Sequence, residues 1–135
     1  MGLILDTSIF IAAERHRLPL ARVVSRLDPS EELGISVVTI AELQHGVRRA
    51  KEPWQLVRRQ ALFNDALAIC EVYDLTSQIA LRLGNLDAEL SMRGEKVAFP
   101  DLAIAATTLT LDFTLVTGDK RHFPRVEGLR LIHPV

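Results

Sequence analysis

Short, uninterrupted apolar runs alternate along this chain with longer stretches in which apolar residues recur every three or four positions. Gly2–Leu5, Gly34–Val38, Glu71–Asp74, Thr114–Thr117 and Leu129–Ile132 read as strands. The runs with little polar alternation have the pattern of strands covered on both faces. The periodic stretches predict helices over residues 8–15, 19–27 and 39–51, with a further helix opening at Pro53. Ile79, Leu83, Leu86 and Leu90 repeat at helical spacing, and Gly94 suits the position just past that helix. Pro100 precedes a helix over 101–111 that is apolar almost all round, and so belongs in the interior. Strands separated by helices imply crossover connections. The expected fold is a three-layer α/β/α arrangement around a central, mostly parallel sheet of four to five strands. With no repeat, low-complexity stretch or linker, residues 1–135 are expected to form one domain.

Composition narrows the setting. A net charge of −1 gives no global attraction to polyanions, but the charge is uneven. Residues 15–59 carry nine Lys/Arg against five Asp/Glu, whereas residues 60–135 carry seven against ten. The basic excess includes Arg48, Arg49, Lys51, Arg58 and Arg59, either a nucleic-acid contact or simply a solvated helix face. The one cysteine, Cys70, excludes an internal disulfide framework and suits a reducing compartment. The apolar start breaks at Asp6 without a basic leader, so neither a signal peptide nor a membrane span is expected, and a cytoplasmic location is.

The acidic residues carry the candidate chemistry. Asp6 directly follows the first apolar run and Asp119 closely follows the fourth. Ligands of open α/β sheets bind beyond the carboxyl ends of the strands, where these two carboxylates would meet. Glu42 and Asp101, each near a predicted helix start, are candidates to join them. Each acid also has a local explanation. Asp6 suits a helix cap, Thr39 and Glu42 fit a capping box, Asp101 complements a helix N-terminus, and Asp119 suits a turn. As a group the four are harder to accommodate. Two carboxylates about 5 Å apart repel by roughly 3 kcal/mol at an effective dielectric near 20, so four together call for a cation. Oxygen ligands favour Mg²⁺ or Mn²⁺. The four histidines show no zinc-binding spacing and read as surface or packing residues. Absence of a phosphate-binding Gly-rich motif or a nucleophile elbow removes the common nucleotide-binding and serine-hydrolase readings. A phosphoacceptor domain would need paired acids after the first strand, which are absent.

Four segments, in order, resemble the motifs of PIN-domain ribonucleases, most closely the VapC-type toxins of toxin–antitoxin pairs. They are Leu3-Ile4-Leu5-Asp6-Thr7-Ser8, Thr39-Ile40-Ala41-Glu42 through Gly46, Phe99-Pro100-Asp101 through Thr107, and Leu115-Val116-Thr117-Gly118-Asp119 through Phe123. The resemblance spans essentially the whole chain and implies a PIN-like fold. By the same resemblance Asp6, Glu42, Asp101 and Asp119 form the catalytic set. Asp6, Asp101 and Asp119 ligate Mg²⁺ or Mn²⁺, Glu42 acts through water, and Thr7, Ser8 and Thr117 support the carboxylates. It further implies endoribonuclease activity by metal-activated water, RNA as substrate and a cognate antitoxin protein. A homodimer and a larger assembly with that antitoxin are also implied. An RNA-processing nuclease outside a toxin–antitoxin pair is the alternative.

Overall fold

The computed structural model describes residues 1–134. Five strands form one sheet: β1 (Gly2–Leu5), β2 (Glu32–Ser36), β3 (Glu71–Tyr73), β4 (Thr114–Val116) and β5 (Leu131–Ile132). Their spatial order is β3-β2-β1-β4-β5, and every neighbouring pair is parallel. Six helices flank them: α1 (Thr7–Arg15), α2 (Leu20–Val24), α3 (Val37–Arg48), α4 (Pro53–Ile69), α5 (Ser77–Met92) and α6 (Phe99–Leu111). From central β1 the chain builds outward through β2 and β3 on one side, then through β4 and β5 on the other. The junction of β1 and β4 is therefore a topological switch point, where α/β sheets open a crevice for ligands.

Alternation along β1 separates two cores. Ile4 packs with Ile79, Leu86, Leu90, Leu102, Ile104, Leu115 and Phe123 under α5 and α6. Leu3 and Leu5 pack on the opposite face with Ile9, Phe10, Leu20, Ile35, Leu62 and Val116 under α1, α2 and α4. The first core is sealed by an edge-to-face pair of Tyr73 and Phe113, ring centroids 5.9 Å apart. These rings lie on Gly2 and Gly34, where a Cβ would come within 2.4 Å of Phe113 and 2.5 Å of Tyr73. The missing side chains make room for the aromatic pair. Residues 102–108 of α6 are all buried, as its uniform apolarity requires. Its two interior threonines donate to carbonyls one turn back, Thr107 to Ala103 and Thr108 to Ile104, each at 2.8 Å.

One boundary departs from the sequence reading. Residues 34–38 are not all strand, because β2 spans 32–36 and Val37 already begins α3. Ser36 caps that helix, its Oγ accepting from the Val38 amide at 3.1 Å. Two β-branched valines after an apolar run look like more strand, but the serine hydroxyl satisfies an amide that only a helix start leaves free. Elsewhere the expected terminators operate. Gly94 takes φ +71° past α5, with Gly94 N–H donating to Ser91 O and Glu95 N–H to Leu90 O, the paired bonds of a left-handed helix stop. Among the described residues no helix is long and apolar enough to cross a membrane.

Candidate active site

Asp6 is the hub of the crevice. Its backbone amide extends the β1–β4 ladder by donating to Val116 O at 2.9 Å. It sits at the cap position of α1 but makes no side-chain cap bond. Instead its Oδ2 accepts from Ser8 Oγ at 2.6 Å and from Thr117 Oγ1 at 2.7 Å. Both hydroxyls are themselves aligned by the loop after β4, because Gly118 N–H donates to Ser8 Oγ and Asp119 N–H to Thr117 Oγ1. His133 Nδ1 lies 2.8 Å from the Thr117 carbonyl and braces the same loop. With both hydroxyls directed to Oδ2, Asp6 Oδ1 has no protein hydrogen-bond donor among the described residues. The carboxylate is almost fully buried, 4% exposed, yet keeps one uncommitted oxygen.

Glu42 is not the partner of a capping box. Ser36 holds the cap position, which places Thr39 and Glu42 inside α3. The Glu42 side chain turns toward α1, where its Oε1 accepts from Thr7 Oγ1 at 2.7 Å. Thr39, fully buried, lies 3.0 Å from the same Thr7 hydroxyl. Adjacent residues thus serve different acids, Thr7 orienting Glu42 and Ser8 orienting Asp6.

Asp101 enters from the first turn of α6, and Asp119 from the turn after β4. One ligand atom each of Asp101, Asp119 and His122 lie within 4.8 Å of one another. The Asp119 turn explains its shape: Oδ1 accepts from Arg121 N–H at 2.8 Å and His122 N–H at 3.0 Å. Its other oxygen, Oδ2, lies 2.9 Å from His122 Nδ1. Burial works to raise the Asp119 carboxyl, but the His122 and Arg121 amides and the His122 imidazole outweigh it and hold the group below its ordinary value. Asp101 moves the other way. Burial, then the charges of Asp6, Asp119 and Glu42, push it up to about 6 against a smaller opposing pull from His122. All four acids therefore share one field. His122 was not distinguishable in the sequence, where only its position three residues after Asp119 hints at a shared turn.

This donor set fits a divalent cation. Among the described residues no lysine or arginine forms an ion pair with Asp6, Glu42, Asp101 or Asp119, and the single cationic partner on offer is the His122 ring. Carboxylates buried together in this way are stable only with protons or a metal ion nearby.

A groove of about 710 Å³ runs from this centre between α1, α3 and α4. Thr7 and Glu42 are among its polar lining residues, Pro100 lines it next to Asp101, and Phe10, Ile11, Leu43 and Leu62 give it apolar lining. The basic candidates divide along the same helices. Arg48, Arg49 and Lys51 are exposed, whereas Arg58 and Arg59 are partly buried. Arg58 Nη2 donates to Ala13 O at 3.2 Å, while Arg59 binds Glu14 and donates to Gly46 O at 2.7 Å. The last two arginines tie α4 to α1 and α3.

The PIN domain family model matches residues 3–129. Ribonuclease VapC2 of Haemophilus influenzae is 33% identical over 127 residues, covering 93% of this chain and 92% of that protein. A tRNA(fMet)-specific endonuclease VapC of Salmonella typhimurium is 29% identical, with coverage of 94% and 93%. Among solved structures, VapBC2 from Rickettsia felis bound to a DNA fragment from its promoter is similar with a TM-score of 0.85 and 27% identity. That match covers 98% of each chain.

Proposed function

The chain belongs to the PIN-domain family, and from that premise we propose that it is the ribonuclease toxin of a toxin–antitoxin pair, a divalent-cation-dependent endonuclease of RNA. The observation that carries this reading is the convergence of Asp6, Glu42, Asp101 and Asp119 on one crevice without a lysine or arginine partner among the described residues. Asp6, Asp101 and Asp119 are the residues that would hold Mg²⁺ or Mn²⁺, with Glu42 reaching the site through water. The chemistry such an ion supplies is activation of water and neutralisation of charge at the scissile phosphate.

The chain's own residues prepare that centre. Ser8 and Thr117 fix the rotamer of Asp6 and keep Oδ1 available, Thr7 aims Glu42, and two backbone amides hold Asp119. Positioning of this kind is worth roughly 10–100-fold in metal affinity or activity. Arg48, Arg49 and Lys51, exposed at and just past the end of α3, would contact the RNA backbone and contribute affinity rather than sequence choice. The groove supports the antitoxin assignment. Its apolar lining and the acidic Glu42 suit a peptide segment carrying apolar side chains and a lysine or arginine. A homodimer of the catalytic chain and a larger assembly with the antitoxin complete the proposal.

Cleavage of an RNA mixture with millimolar Mg²⁺ or Mn²⁺ tests the reading. Cutting should stop in excess EDTA and in Asp6→Asn, and the fragments should carry 5′-phosphate and 3′-hydroxyl ends. Full activity in EDTA, or 2′,3′-cyclic phosphate ends, would refute metal-dependent hydrolysis.

A further inference from the structure

His122 has a geometry that an ordinary surface ion pair does not require. Its backbone is pinned on both sides: its amide donates to Asp119 Oδ1, and the next residue, Phe123, is fully buried in the core. Asp119 has spent Oδ1 on two amides and presents only Oδ2 to the crevice, and that oxygen is the atom 2.9 Å from His122 Nδ1. Neighbouring ligands of an octahedral ion with bonds near 2.1 Å stand about 3 Å apart, and opposite ligands about 4.2 Å. The Oδ2–Nδ1 separation matches the first spacing, and the ligand atoms of Asp101, Asp119 and His122, all within 4.8 Å of one another, exceed the second by at most about 0.6 Å, which side-chain rotation can close. One ion could therefore be held by all three side chains without movement of the main chain.

We infer that His122 is a direct nitrogen ligand of the catalytic cation, beside Asp101 and Asp119, and that it biases the site toward Mn²⁺ over Mg²⁺. The inference rests on the metal-centre reading above and deepens it. An imidazole in the coordination sphere favours transition-metal ions, whereas Mg²⁺ prefers oxygen donors and water. Asp6, outside the tightest group, then supplies its free Oδ1 from the other wall of the crevice. Were His122 only the ion-pair partner of Asp119, its removal would change the affinity for both cations alike.

The test uses the whole, RNA-free protein. Mn²⁺ and Mg²⁺ affinities are measured by calorimetry for the wild type, His122→Ala and His122→Gln, and pulsed electron paramagnetic resonance of the Mn²⁺ complex reports nitrogen bound to the ion. The wild type should show nitrogen coupling and bind Mn²⁺ more tightly than Mg²⁺. Both variants should lose that coupling, and their Mn²⁺ preference should shrink by about tenfold, the lower end of what losing even an outer-shell partner costs. Saturable Mn²⁺ binding without nitrogen coupling in the wild type overturns the role of His122 alone, and so does coupling that survives in the variants. An equal change in affinity for both cations, in either direction, also overturns it. No saturable binding of either cation overturns the metal centre itself. The wild-type spectrum decides the matter even if a variant does not fold.

Discussion

The crevice above β1 and β4 and the seam between α1 and α4 are both built from charged side chains, and they handle charge in opposite ways. Along the seam both arginines find partners within the chain, although Arg58 Nε is buried without one. Arg59 meets Glu14 and the Gly46 carbonyl, and Arg58 meets the Ala13 carbonyl. In the crevice three of the four carboxylates, Asp6, Glu42 and Asp119, are oriented by hydroxyls or amides, and among the described residues the one side chain beside the four that is able to carry positive charge is His122. Charge that is matched inside the chain can fasten helices together. Charge left unmatched is available to something that arrives from outside.

The comparison is most sharply tested at Thr117, whose hydroxyl serves two acids at once. Thr117→Val keeps the shape but removes the donor to Asp6 and the acceptor for the Asp119 amide. RNA cleavage should fall by about 10–100-fold. A variant with wild-type cleavage would mean that Asp6 needs no such support.

The seam should respond in stability instead. Arg59→Ala removes the contacts to Glu14 and to Gly46 and should destabilise the fold by about 1–3 kcal/mol in denaturant unfolding. A loss under about 0.5 kcal/mol would reduce the pair to an ordinary surface ion pair.

Asp101 gives the smallest effect and the most distinctive sign. Its carboxyl, pushed from 3.8 to about 6, binds a proton more tightly in the folded chain than in the unfolded one. Its stabilising share is complete below pH 4 and is lost as pH rises through about 6. In EDTA at pH 7, Asp101→Asn should therefore be more stable than the wild type by about 1 kcal/mol, after discounting for solvent screening of a half-exposed group. The difference between the two should vanish near pH 4. Millimolar Mg²⁺ or Mn²⁺ should raise the wild-type melting temperature and leave the variant nearly unchanged. A destabilised variant in EDTA would instead mark Asp101 as a helix-terminus charge.

What the sequence discloses follows the range of the interactions. Uninterrupted apolar runs reveal β1 and β4 because both faces of those strands are covered, and Asp6 and Asp119 are found because they sit at or just beyond their ends. The start of α3 is obscured for the opposite reason. Ser36 looks like one more residue of the run, and the cap is recognisable only from its bond to Val38 N–H. The Thr39–Glu42 pair imitates a capping box, yet the actual reach-back of this kind lies at α4, where Gln55 Oε1 accepts from Glu52 N–H at 3.1 Å. His122 stays hidden because its meaning depends on a turn that brings its ring to Asp119 and on a helix, α6, that brings Asp101 beside both. Arg58 and Arg59 have the same composition signature as Arg48 and Arg49, and only tertiary packing separates the fastened pair from the exposed one.

The hydrogen bond from Thr117 to Asp6 joins residues 111 positions apart. For a chain growing on the ribosome at about 5–20 residues per second, the two partners are synthesised roughly 6–22 s apart. During that interval Asp6 exists without the loop that orients it, and the nascent chain has no assembled acidic centre. The fold thus delays assembly of the centre until the loop after β4 has been made.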